Sequence, residues 1–254
     1  MKWFFLPVFV ISCFVWSVSA KCEDKVKKQK YVIGVENIAY LPHYDGSKSE
    51  YGGYARAVLD LFFKSINADF EYRPLPINRL FKNFVSGELD FKYPDSPDWQ
   101  KDIKKGKTIV YSDPVSDYID GIMVKPERKG KGIEALKDLG TVTGFTPWAC
   151  IDLVKQGKIK LSENNDFAAL LRQTINERND GAYFSVAVAL YQLREVVKKP
   201  DALVFDPSLP YVKDAYFLST TKHKDIILKF NEFLKTRNTE LSQIKEKLQV
   251  NKGL

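Results

Sequence analysis

Short β-branched or aromatic runs alternate with amphipathic helical segments along nearly the whole chain, and this alternation is what most limits the fold. Tyr31 to Val35 reads as a strand, followed by a turn-rich loop over 42–53 that contains Asp45-Gly46 and Gly52-Gly53. Ala55, Val58, Leu59, Phe62 and Ile66 then fall on one face at the helical period, which predicts a helix from Tyr54 to Ile66. Phe70 and Tyr72 alternate in a second strand. A second helix carries Ile77, Leu80, Phe81 and Phe84 and stops at Gly87, before a third strand from Leu89 to Lys92.

The middle of the chain repeats the pattern, with strands near 121–125, 141–144, 158–161, 181–185 and 202–205. Pro147 opens one intervening helix with Thr146 as its cap, Phe167, Leu170, Leu171 and Ile175 mark another, and 186–196 forms a third. A strand over 215–219 precedes two final helices, with Ile226, Ile227, Phe230, Phe233 and Leu234, then Leu241, Ile244 and Leu248. Strands separated by helices make this an α/β protein with largely parallel sheets, whose working loops lie at the carboxyl ends of the strands. Two breaks, over 126–132 and 206–213, suit a chain that leaves one lobe, builds another and returns.

The first twenty residues are a secretory leader: Lys2, an apolar run from Trp3 to Val15, then Val18, Ser19 and Ala20. The run is shorter than the roughly 20 apolar residues of a membrane span, so cleavage before Lys21 is expected, and the mature protein should lie in the periplasm. The formal net charge of +7 comes from scattered lysines without a nucleic-acid-binding motif, so no nucleic-acid partner is expected, although a weak preference for anionic ligands follows. With Cys13 in the leader, Cys22 and Cys150 are the mature thiols, and no bridge between them is expected. Only two histidines are present, His43 and His223, far apart in sequence, and no metal site or cofactor is expected.

Several segments, in order and spacing, resemble periplasmic solute-binding proteins of the amino-acid and polar-solute type, the family 3-like group that includes the glutamine-binding protein. They are the opening strand with Val35, Glu36 and Tyr40, the Gly52-Gly53-Tyr54 helix start, and the run from Phe84 to Asp90. Tyr111-Ser112-Asp113-Pro114, Ile122 to Lys125, and Leu136 to Gly140 followed by Thr141 to Gly144 continue the likeness to Leu248. The resemblance implies a type II, two-lobed fold, each lobe a mostly parallel sheet flanked by helices: lobe 1 over 21–117 plus 210–254 and lobe 2 over 118–209. It implies a monomer that captures a small polar or anionic molecule between the lobes, with a membrane transporter permease of the ABC type as partner. Two family features are missing. The arginine that clamps an α-carboxylate is replaced by the stretch Asp98-Trp99-Gln100-Lys101-Asp102, and Ser185 stands near the position of the ammonium-binding aspartate.

Ten residues are candidates for ligand contact. Tyr40 follows the first strand, where an aromatic ring either stacks on ligand or packs in the core. Arg79, near a helix start, offers a two-pronged grip on a carboxylate or phosphate, or a surface ion pair. Tyr93 and Asp95 follow the third strand. Gly144, Phe145, Thr146 and Trp148 combine a strand end with a helix start whose backbone donors suit an anion. Tyr183 and Ser185 end a strand of the second lobe. No paired acid and base, nucleophile triad or metal motif is visible, so catalysis is not expected. Alternatives are a cyclohexadienyl-dehydratase-like enzyme using an acid such as Glu36 or Asp95, and a sensor module for a membrane signalling partner.

Overall fold

The computed structural model describes residues 1, 3 and 30–252. The rest of the leader, its cleavage point and Cys22 lie outside them. The chain opens with β1 (Lys30–Glu36), an almost wholly buried strand, then a small hairpin of β2 (Ala39–Tyr40) and β3 (Tyr44–Asp45). Helix α1 (Gly53–Ser65) buries Tyr54, Ala55, Val58, Leu59, Phe62 and Phe63, the face set by its apolar period. Gly53 starts it at φ +81°, and a Cβ there would lie 2.7 Å from the Tyr44 Cα, so glycine lets the helix start seat against the hairpin. The bonds Tyr54 N–H to Pro42 O and Ala55 N–H to His43 O then fix that loop.

β4 (Asp69–Leu75), α2 (Ile77–Val85), β5 (Phe91–Asp95), the short α3 (Lys101–Lys104) and β6 (Val110–Tyr111) complete the first half. β4 and β5 flank β1, both parallel to it. The second half comprises β7 (Ser116–Val124), β8 (Asp138–Val142), α4 (Ile151–Lys155), β9 (Lys160–Asn164), α5 (Phe167–Ile175), β10 (Gly181–Ser185), α6 (Val186–Gln192) and β11 (Val204–Phe205). Here β8 pairs in parallel with β9 and β10, while β10 and β11 run antiparallel to β7. The chain returns through β12 (Val212–Thr220) and ends in α7 (Lys224–Thr236) and α8 (Asn238–Leu248).

β7 and β12 join the halves. The first part of β12 pairs with β7 over Val212↔Asp120 to Tyr216↔Ser116, and its last part pairs with β5 and β6. The sequence placed strands only from 121 and from 215, leaving the approaches as crossing loops. They are strands because β7 and β12 pair antiparallel across these approaches, from Val212 opposite Asp120 to Tyr216 opposite Ser116, a long-range pairing that no local pattern in either segment announces. The helix after Pro147 also differs: a 3-10 turn, Trp148–Cys150, precedes a five-residue α4, Pro147 stands at the cap, and no side chain caps the turn. Cys150 is buried, and burial pushes its thiol up to about 11.

Candidate functional site

The β7–β12 ribbon builds the floor of a cavity of about 570 Å³ between the two halves. In paired antiparallel strands every second residue shares a face, so Tyr118 and Asp120 of β7 line up with Val212, Asp214 and Tyr216 of β12, and all five line the cavity. The rings of Tyr118 and Tyr216 stack at 4.3 Å between centroids with planes 15° apart.

One wall comes from the first half. Glu36 ends β1, where alternation and the strand's carboxyl end bring it to the cavity; it is 4% exposed, and Tyr44 donates its hydroxyl hydrogen to Oε2 at 2.6 Å. Burial pushes its carboxyl up, opposed by the nearby Lys92 and by the Tyr44 hydrogen bond. Tyr40, Phe81 and Trp99 add aromatic surface, and Trp99 meets Tyr216 at 5.9 Å. Asp98 and Lys101 stand at the rim as an ion pair at 2.6 Å.

The other wall is the loop after β8. Gly144, in the left-handed region at φ +87°, is followed by Phe145, Thr146 and Trp148, and all four line the cavity. Trp148 is 61% exposed, a rim residue rather than part of the core. The short helix that follows gives no extended array of backbone donors for an anion. Phe145 reaches across the cleft to Tyr40, with centroids 5.7 Å apart, and His43 Nε2 lies 3.4 Å from Ser185 Oγ.

The structure therefore brings Tyr40, Gly144, Phe145, Thr146 and Trp148 together around one cavity. The other five candidates stand elsewhere. Arg79 is exposed on α2. Tyr93 is buried in β5 with no hydrogen-bond partner for its hydroxyl. Asp95 is wholly buried in an ion cluster: Lys104 Nζ reaches Oδ1 at 2.7 Å, Lys92 Nζ lies at 3.4 Å, and Ser219 donates to Oδ2 at 2.6 Å. Tyr183 packs beside Cys150, and Ser185 is buried at the interlobe contact with His43.

Of the lining residues that the candidates omitted, those on the ribbon share a signal: Tyr118 with Asp120, and Asp214 with Tyr216, each two positions apart in a strand. Asp120 is the one whose titration is moved close to neutral pH. Burial, and then the charge of Asp214, push its carboxyl from 3.8 to about 7, and its Oδ1 is buried with no hydrogen-bond partner. Asp214 accepts from the Ala215 N–H at 2.7 Å and more weakly from the Tyr118 hydroxyl at 3.3 Å. His43, also buried, is driven down to about 3 by burial and then by Lys245. Among the described residues no group of His, Cys, Asp or Glu is placed to hold a metal ion, and no helix is long and apolar enough to cross a membrane.

No protein-family model and no curated protein matches the sequence. Solved structures do match. The GluR0 ligand-binding core in complex with L-glutamate aligns at TM-score 0.69 and 14% identity over 87% of this chain and 99% of that one. ArtJ of Geobacillus stearothermophilus, an arginine-, lysine-, histidine-binding protein, aligns at 0.65 and 21% over 87% and 95%. AncCDT-1, an ancestral amino-acid-binding protein and precursor of cyclohexadienyl dehydratase, aligns at 0.63 and 17% over 86% and 94%. At such identities the likeness is one of fold, and the chain has the two-lobed α/β fold of the type II periplasmic binding proteins.

Proposed function

We propose that this chain is an exported solute-binding protein, freed of residues 1–20, that captures a small polar molecule between its lobes and presents it to a membrane transporter. The observation that carries this reading is the cavity floored by the ribbon that joins the lobes and walled by residues of both. A ligand seated there touches both lobes only when they are closed, and that differential contact is what shifts the open and closed populations. The proposed lobes are 21–117 with 210–254, and 118–209; the split pairing of β12, first with β7 and then with β5, supports the division.

A thermal-shift screen over amino acids, organic acids, sugars, amines and aromatic acids tests it, since a ligand that binds only the native state raises the melting temperature by mass action. Small-angle scattering of the best hit should show compaction at saturation. A screen without a hit, or a hit without compaction, would count against the reading.

A second reading, a dehydratase-like enzyme, draws on Glu36, a buried acid at the cavity whose proton is held above the usual range. Turnover of prephenate that is lost in Glu36→Gln would favour it.

A further inference from the structure

We propose that the cavity is built for an organic cation, an ammonium or guanidinium group on an apolar body, and that the ligand carries no carboxylate of its own. This rests on the solute-binding reading and names the ligand class of the same site.

Charge is the first argument. Four carboxylates line the cavity: Glu36, Asp98, Asp120 and Asp214. The one basic lining side chain, Lys101, is already paired with Asp98 at the rim. No arginine lines the cavity, and the stretch at Asp98 and Trp99 presents an acid and an indole instead. A carboxylate entering this space would face the Asp120 and Asp214 side chains of the floor and find no lining cation that is not already paired.

The arrangement around Asp120 locates the cation. Its neighbours are Asp214 and Tyr216 on β12, Tyr118 on β7, Tyr183 on β10 and Tyr40 from the first half, and none of these is a cation. Glu36 has Lys92 nearby and a hydrogen bond from Tyr44, whereas Asp120 Oδ1 has no partner at all. Two carboxylates side by side, one carrying a buried bare oxygen, form a site that a positive group completes.

The aromatic rings of the floor and wall are the second, independent argument. Tyr118 and Tyr216 lie stacked beside Asp214, and Trp99 stands edge-on to Tyr216. The faces of such rings attract cations, and their area shelters an apolar ligand body.

Matched pairs that differ only by the carboxylate decide the point: agmatine against arginine, tyramine against tyrosine, cadaverine against lysine. Calorimetry on the mature protein at pH 7 should give at least one amine binding tenfold or more tightly than its amino acid. Its binding should release protons, seen as a buffer-dependent heat, because a cation beside Asp120 drives off the proton held there. Asp120→Asn should weaken the amine at least thirtyfold and abolish the release, while its melting curve reports that it is folded. An amino acid that binds as tightly as its amine, or affinity unchanged in Asp120→Asn, overturns the proposal and leaves solute binding standing. Hits confined to neutral or anionic solutes do the same, and no hit in any class removes both readings.

Discussion

The ring of Tyr40 lies over that of Phe145, 5.7 Å between centroids and 30° between planes, so one residue from each lobe closes the cleft on itself. Tyr40 is almost fully buried and also meets Tyr44 and Phe167, whereas Phe145 is half-buried. Tyr40→Ala should therefore cost about 3 to 5 kcal/mol of stability and Phe145→Ala clearly less. A double-mutant cycle by urea denaturation should return a coupling of roughly 0.5 to 1.5 kcal/mol. Zero coupling would mean that the lobes stand apart in the unliganded protein.

His43, which is buried, and Asp120, half-buried with one buried carboxylate oxygen, pull the pH dependence of stability in opposite directions. His43 is neutral in the fold down to about pH 3, so the stability it supplies is present above 6.5 and is lost as pH falls from there towards 3. Asp120 holds its proton up to about pH 7, so its stabilising effect is present below 3.8 and is lost as pH rises towards 7. Each is on the order of 4 to 5 kcal/mol at most, less for the half-buried Asp120, and between 3.8 and 6.5 they oppose one another. Denaturation of Asp120→Asn should show stability falling steeply on acidification, and that of His43→Gln should show it rising over the same window.

Asp95 is tied to Lys104, Lys92 and Ser219, away from the cavity lining. Asp95→Asn leaves two buried ammonium groups without their carboxylate and should destabilise the protein by about 3 to 5 kcal/mol. Urea unfolding reads this directly, and a loss below about 1 kcal/mol would show that water reaches the cluster.

Arg79→Ala should leave both stability and ligand affinity within about 0.5 kcal/mol of wild type, because the side chain is exposed and lies off the cavity lining. Calorimetry with the best ligand checks it. A tenfold loss of affinity would place the guanidinium in the site after all.

The α/β class, most helices and the loop from Gly144 to Trp148 were legible in the sequence, because apolar period and glycine placement express themselves locally. The ribbon was not. Tyr118, Asp120, Asp214 and Tyr216 sit almost a hundred residues apart in two segments that look like polar crossings. Only their pairing, Asp214 opposite Tyr118 and Val212 opposite Asp120, turns them into one surface. Net charge and cavity lining differ in sign for a related reason: the excess of lysine lies elsewhere in the chain, while carboxylates predominate in the lining.

The floor of the cavity is also the axle on which the lobes would turn. On the far face of that ribbon stand Ile119 opposite Lys213 and Asp117 opposite Ala215, none of which lines the cavity. Side chains there pack against the ribbon without entering the cavity, so changes at them would act on the spring rather than on the seat. On the solute-binding reading proposed above, substitutions at those positions would change how readily the lobes part while leaving the residues that line the cavity untouched.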